Sequence, residues 1–318
     1  MSGVDFIDVS RRLLKDNMGL QPGERLVIVY DETTLRIGES LFLAGCDLGA
    51  KAAAIRIPAL ARNGMEPDEI VAAAMKAADV VVAPTGASLT HTQARKNACA
   101  AGARVATMPR ITEDMYFNGP ITADYAVVET VTKRYTKMLD AAETAEIRTG
   151  ECSLTMSLAG RDGHPSTGVY RNRGESGNLP SGEAYIAPVE GTANGSVVID
   201  GSFVGLGVLD EPLVLTFEDG LLVNAEGKGA AALLKQLGDA PKARNLAELG
   251  IGTNDKARFT GVILEDEKIC GTVHIALGSN DTFGGTVAAG IHVDGVMRKP
   301  TLLLDGRIVV ADGLLKVE

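Results

Sequence analysis

The feature that most constrains this chain is a set of short, wholly apolar runs spaced by helix-length amphipathic segments across its first third. Leu26–Tyr30 reads LVIVY and Val80–Ala83 reads VVVA, continuous β-branched runs of the kind buried on both faces of a parallel sheet. Ala52–Ile57 and Ala103–Met108 supply two more strands. Between them lie helical stretches over Thr34–Gly49, Met65–Ala78 and Ser88–Ala100, and a further helix over Val4–Lys15 precedes the first strand. Strand and helix in strict alternation predict an open, Rossmann-like parallel sheet. No G-x-G-x-x-G follows the first strand, where Asp31-Glu32-Thr33-Thr34 stands, so a dinucleotide fingerprint is absent and the sheet reads as scaffold. The polar loop Ser88-Leu89-Thr90-His91-Thr92 follows a strand and either faces a ligand through His91 or caps the next helix through Ser88 or Thr90.

Beyond about residue 125 the texture changes. Helical periodicity runs to about Glu146, after which strand-like segments alternate with Asp-Gly pairs: Gly195–Ile199 with Asp200-Gly201, Leu213–Phe217 with Asp219-Gly220, and Leu302–Leu304 with Asp305-Gly306. Strand, Asp-Gly, strand is the pattern of antiparallel hairpins. One helix, Ala230–Leu237, interrupts them. The chain therefore reads as α/β, with an N-terminal Rossmann-like parallel-sheet domain over 1–125 and a second, largely antiparallel α+β metal-binding domain over 126–318.

The formal charge of -10 argues against a phosphate backbone as the partner, because nucleic-acid binders present a basic face. A peptide or small-molecule substrate fits better. Cys46, Cys99, Cys152 and Cys270 lie far apart without C-x-x-C spacing, which gives neither a disulfide framework nor a thiolate metal site and reads as small buried hydrophobes. The N-terminal segment lacks the apolar stretch of a signal peptide, and no run reaches the roughly 18 apolar residues of a membrane span. The expectation is a cytoplasmic protein with no membrane partner.

Chemistry concentrates in four segments. Glu183 ends the Pro- and Gly-broken turn Asn178-Leu179-Pro180-Ser181-Gly182 and starts a strand, which holds its carboxylate stiffly. Glu248 sits in Ala247-Glu248-Leu249-Gly250-Ile251-Gly252, among apolar residues and glycines; if buried it needs a cation or a basic side chain. His274 lies alone in the apolar strand Val273–Gly278. In Gly290-Ile291-His292-Val293-Asp294-Gly295, His292 and Asp294 stand at i and i+2 and share a strand face, a compact chelate. Two histidines and three carboxylates suit Zn²⁺, Mn²⁺, Co²⁺ or Fe²⁺. Their charge of about -3 would hold two divalent ions and leave a bound water deprotonated.

These segments resemble the active-site signatures of the aminopeptidase T family of metallopeptidases, also called S-type leucyl aminopeptidases. The resemblance implies that Glu183, Glu248, His274, His292 and Asp294 ligate one or two divalent metals, zinc first, with cobalt, manganese or iron as alternatives. It further implies a homodimer and the release of N-terminal residues by a metal-activated water, with Glu183 shuttling the proton. Family peptidases carry a tyrosine seven residues past the histidine of the G-T-x-H strand, where this chain has Asp281, a residue that would redirect the chemistry or join the metals. The chain also resembles, more distantly, the 2,5-dihydroxypyridine ring-cleaving dioxygenases, which bind one Fe²⁺ through two histidines and a carboxylate and have a histidine at the place of Glu248. That resemblance implies a mononuclear Fe(II) dioxygenase as the alternative. A structural metal with a closed coordination shell is the third reading.

Overall fold

The computed structural model describes residues 6–316 and divides into two units, Met1–Ala126 with Gly168–Ser181, and Val127–Thr167 with Gly182–Glu318. In the first, the strands Arg25–Tyr30, Lys51–Arg56, Val80–Thr85 and Arg104–Pro109 form the expected parallel sheet. A fifth strand, Ser176–Asn178, returns from much later in the chain and pairs parallel to Arg104–Pro109. Helices cover it as predicted, with Leu35–Asp47, Glu69–Ala77 and Gln93–Ala100 each following a strand. The first helix is Phe6–Arg12, continued as a π-helical turn over Leu13–Asn17; Val4 and Asp5 of the expected helix lie outside the described residues. The helix expected from Ser88 starts at Gln93, because the Thr92 side chain, rather than Ser88 or Thr90, accepts the Arg95 N–H and caps it. Thr90 instead shares hydroxyl hydrogen bonds with Thr107 and Asn178 at 2.8 and 2.9 Å.

The strand order reverses between Arg25–Tyr30 and Val80–Thr85, the point at which sheets of this type open a ligand crevice. Here Asp31, fully buried, turns the nearby amides inward. It accepts the Gly86 N–H at 2.6 Å and the Thr33 N–H at 2.9 Å.

The second unit contains two antiparallel sheets of eight and seven strands. Two of the three Asp-Gly pairs form tight hairpins, with Asp219 and Gly220 at φ 47° and 79° and Asp305 and Gly306 at 48° and 77°. Paired positive φ values are what a two-residue hairpin turn demands. The third expectation is corrected: after Asp200-Gly201 the chain changes sheets. Ser202–Phe203 pairs with His292–Met297, while Asn194–Ile199 pairs with Leu213–Glu218. The helix Ala230–Leu237 is as expected.

One apolar core joins the two sheets of this unit. The eight-stranded sheet contributes Ile147, Leu154, Val197, Leu215 and Phe217; the seven-stranded sheet contributes Ile186, Leu249, Ile251, Val273, Ile275 and Val293. No cysteine is buried, contrary to expectation, and Cys46 and Cys270 are exposed. Arg298 is committed locally, its N–H and Nε–H donating to Asp200 while its guanidinium lies 4.0 Å from the Phe259 ring centre. Among the described residues no helix is long and apolar enough to cross a membrane.

Asp31→Ala should lower the stability of the first unit by about 1–3 kcal/mol, since buried donors lose their acceptor. Asp31→Asn, which keeps one oxygen, should cost less. Urea midpoints of the two variants provide the check.

Candidate metal centre

Strand alternation sorts the seven-stranded sheet of the second unit into two chemistries. Ala184, Ile186, Leu249, Ile251, Val273, Ile275, Leu277, Val293 and Met297 point into the apolar core. Their neighbours Glu183, Tyr185, Glu248, His274, His292 and Asp294 must then point to the opposite face. The register sets each large polar residue against a small one. His274 pairs with Gly250, Glu183 with Gly252, His292 with Gly278, and Ala276 stands between Glu248 and Asp294. The glycines are required: a Cβ at Gly250 would lie 2.0 Å from His274 Nε2, and one at Gly278 2.1 Å from the Ile291 carbonyl oxygen. Small residues in these places leave room for long side chains from four strands to converge.

The convergence is tight. His274 Nε2 stands 3.4 Å from Glu248 Oε1 and 3.5 Å from Glu183 Oε2. His292 Nε2 stands 3.3 Å from both Glu248 Oε2 and Asp294 Oδ1. These separations exceed those of charge-assisted hydrogen bonds. They match donors sharing a cation, since ligand atoms about 2.1 Å from a metal stand roughly 3.0–3.4 Å from one another. Among the described residues, three groups have donor atoms within 4.8 Å of one another: Glu183–Glu248–His274, Glu248–His292–Asp294 and Glu267–His274–Asp294. His274 is fully buried and neither ring nitrogen has a hydrogen-bond partner, an expensive state that a metal would relieve. His292, by contrast, is oriented. Its Nδ1 lies 2.8 Å from the Ser279 carbonyl, which can only accept, so Nδ1 carries the proton and Nε2 is left as the donor toward a metal.

The donors therefore fit a divalent first-row ion, with one imidazole and two carboxylates in each group. All five expected ligand residues meet here. Asp281 does not join them: it is exposed and belongs to none of the three groups. His91 is exposed in the first unit.

Two charged participants were not anticipated. Lys268, only 2% exposed, places its Nζ 2.6 Å from Glu183 Oε1 and also pairs with Glu267 Oε1. Both stand in the run of four charges Glu265-Asp266-Glu267-Lys268. It is drawn inside because Glu265 accepts the Arg258 N–H and Asp266 accepts the N–H groups of Thr260 and Gly261, which pins the run against the 258–261 loop. The flanking Leu264 is itself buried.

The electrostatics are those of cations and anions crowded in a largely buried site, with His292 at its exposed edge. Burial disfavours the charged form of Lys268, yet Glu183 and Glu267 more than offset this and raise its pKa. Burial likewise opposes charge on His274 and His292. Glu248 with Glu183 and Glu267 nevertheless pushes His274 up to about 9, and Asp294 with Glu248 pushes His292 up to about 12. Burial resists ionisation of Glu248, but His274 and His292 hold its pKa below the ordinary value. Glu267 goes the other way, raised to about 8 by burial together with the charges of Glu183 and Asp294. Without metal, protons balance the cluster.

An aromatic cluster abuts these ligands. The Phe283 ring stands edge-on to His292 at 5.8 Å, Tyr185 is 5.5 Å from Phe283, and His164 stacks on Tyr185 at 5.3 Å. His164 Nε2–H donates to the Phe283 carbonyl at 3.1 Å. The loop carrying Phe283 is strapped by Glu190, which accepts from Asn280 Nδ2 and the Thr286 N–H and is paired with Arg161.

A family model described as NicX, 2,5-dihydroxypyridine 5,6-dioxygenase, matches residues 5–317. The fold is similar to that of the 2,5-dihydroxypyridine dioxygenase from Pseudomonas putida KT2440, which is 19% identical, with 100% of this chain and 99% of that chain covered and a TM-score of 0.82. It is also similar to wild-type AmpT from Thermus thermophilus, at 18% identity, 98% and 99% coverage and a TM-score of 0.73. No curated protein matches the chain.

A metal must displace imidazolium protons, so affinity should rise with pH between 6 and 9, by about tenfold per unit for each proton displaced. Calorimetric titrations of Mn²⁺ in buffers of different ionisation enthalpy should show proton release; uptake without it would contradict the assignment of His292 as a ligand. Gly250→Ala, which drives a methyl group into His274, should weaken metal binding by about 10–100-fold, as read in the same titration.

Proposed function

The chain belongs to the NicX family of 2,5-dihydroxypyridine 5,6-dioxygenases, and from that premise we propose that it is a metal-dependent enzyme that opens a hydroxylated heteroaromatic ring with dioxygen. The observation that carries this reading is the aromatic wall of Phe283, Tyr185 and His164 set against the metal-ligand candidate His292. Edge and face contacts of this kind suit a planar ring. Glu248, His292 and Asp294 would hold an Fe²⁺ ion. Bound iron supplies the redox capacity that ring opening needs.

The chain's own residues do the rest. Phe283 and Tyr185 orient the ring plane, and the Ser279 carbonyl keeps His292 Nε2 aimed at the cluster. Burial first, and then the charges of Glu248 and Glu183, raise the Tyr185 pKa, so its phenol stays protonated and can donate to a substrate oxygen.

A second reading, hydrolysis by a metal pair in the manner of the aminopeptidases, draws on a separate observation. Glu248 offers Oε1 to the His274 group and Oε2 to the His292 group, the arrangement of a bridging carboxylate. Among the described residues no single group holds both imidazoles, so the two-histidine pattern of the dioxygenases is not met within one group.

The two readings separate in a paired assay on anaerobically purified protein. Fe²⁺-loaded enzyme should consume oxygen on addition of 2,5-dihydroxypyridine and leave Leu-p-nitroanilide intact. Amide hydrolysis by the Zn²⁺-, Mn²⁺- or Co²⁺-loaded form, with no oxygen uptake, would transfer the assignment to the hydrolase. His292→Ala and Asp294→Ala should each lose both bound metal and turnover. Phe283→Ala should raise KM for the ring substrate by roughly three- to tenfold, the value of a lost aromatic contact, with a smaller effect on kcat.

A further inference from the structure

Phe283 is borne on the connection between the strands Val273–Gly278 and His292–Met297, and that connection is anchored in two separate halves. Its base closes on itself. The Ser279 N–H donates to the Ile291 carbonyl at 2.8 Å, and Ser279 Oγ accepts the N–H groups of Ala289 and Gly290 at 2.8 and 3.1 Å. These bonds hold the Ser279 carbonyl that orients His292.

The tip, 280–287, is built around Asn280, which is fully buried. The Asn280 carbonyl accepts the N–H groups of Phe283 and Gly285, and its Oδ1 accepts the Val287 N–H at 2.9 Å. A Cβ at Gly285 would lie 2.0 Å from Asn280 Cγ, so the tip folds onto this side chain with no room to spare. Among the described residues, the hydrogen bonds from the tip to the rest of the unit all come from three side chains. Glu190 Oε1 accepts Asn280 Nδ2–H at 3.0 Å and the Thr286 N–H at 2.7 Å. Arg161 donates through Nη1 to the Gly284 carbonyl and through Nη2 to Glu190 Oε2, and His164 donates to the Phe283 carbonyl. The Arg161 and Glu190 side chains are only 13% and 21% exposed, so theirs is not a solvated surface pair of negligible worth. Burial resists the charge on Glu190, yet the Thr286 and Asn280 hydrogen bonds and Arg161 hold its pKa below the ordinary value and keep it a carboxylate. Neither Arg161 nor Glu190 belongs to the metal-donor groups.

We propose that Arg161 and Glu190 are positioning residues for the ring substrate: acting through Gly284, Asn280 and Thr286, they fix Phe283 beside His292 and so set the affinity for a planar ring, with no part in holding the metal. This role rests on reading the site as one that binds a hydroxylated ring. A side chain already fixed before binding loses little freedom when a ring packs on it, whereas a loose one must be ordered at the expense of affinity. Because the base of the loop is tied by its own bonds, loosening the tip leaves the His292 orientation intact.

The test is a pair of calorimetric titrations on full-length protein without oxygen, needing no turnover: 2,5-dihydroxypyridine into the Mn²⁺-loaded form, and Mn²⁺ into the metal-free form. Glu190→Ala, which removes all three links, should raise Kd for the ring by about three- to tenfold, as loss of the aromatic contact itself would. Glu190→Gln, which keeps Oε1 for Asn280 and Thr286 and gives up the charge facing Arg161, should raise it less, and so should Arg161→Lys, which keeps the charge and loses the fork. Mn²⁺ affinity should be unchanged in all three. In a Phe283→Ala background Glu190→Ala should have no further effect, since it acts through that ring. Additive losses in the double variant, or a fall in Mn²⁺ affinity matching that for the ring, would overturn the positioning role and leave the metal site standing. Hydrogen exchange of ligand-free protein reads the anchoring directly. The Phe283, Gly285 and Val287 amides should exchange faster in Glu190→Ala while the Ser279 and Gly290 amides stay protected, and equal loosening of tip and base would overturn the separation on which the role depends. Failure of the wild type to bind the ring at all would overturn the ring-opening reading and this role with it.

Discussion

The pairing of His274 with Gly250 across two antiparallel strands is the constraint on which the site depends. A strand can deliver a long side chain to a shared point only if the positions opposite it are empty, and here the register places Gly250, Gly252, Gly278 and Ala276 opposite or between the converging residues. The same two-residue alternation that sends Leu249, Ile275 and Val293 into the core sends Glu248, His274, His292 and Asp294 to the other face. Core and site are therefore specified by one register. A slip of one residue would bury the carboxylates in the core and expose the aliphatic residues, so the energy of the apolar cluster also enforces the geometry of the donors.

Holding so many like charges together is costly, and the structure meets that cost with cations of different kinds. Lys268 is permanent and internal. The two imidazoles are adjustable, their pKa values raised by the surrounding carboxylates. Oriented Nε2 of His292, unpartnered His274 and the strapped loop bearing Phe283 place the most prepared donors beside the aromatic wall.

Much of the fold is legible in the sequence. Continuous apolar runs such as LVIVY announce a sheet buried on both faces, and Asp-Gly at 219–220 and 305–306 announces hairpins because those residues tolerate positive φ. Asp200-Gly201 carries the same local signal and makes a sheet-to-sheet link instead, since pairing is decided by which strand is free nearby. The return of Ser176–Asn178 to the parallel sheet leaves no trace, because three residues show no periodicity. At the site, the His-x-Asp pair and the glycine-flanked Glu248 could be read as ligands. Glu267 and Lys268 could not: in a run of four charges nothing local distinguishes a buried pair from a solvated one, and it is the backbone N–H groups of the 258–261 loop, met only in the folded chain, that pull the run inward. The aromatic wall assembles Tyr185, Phe283 and His164 from distant segments and is invisible for the same reason. Cys46 and Cys270 show the converse, apolar by type and exposed by position.

The central claim is that these donors surround a cation, and anomalous diffraction from crystals grown with Mn²⁺ addresses it most directly. The account predicts a peak about 2.0–2.3 Å from Glu248, His292 Nε2 and Asp294, with Lys268 still on Glu183. A peak lying elsewhere, or none at saturating Mn²⁺, would contradict it.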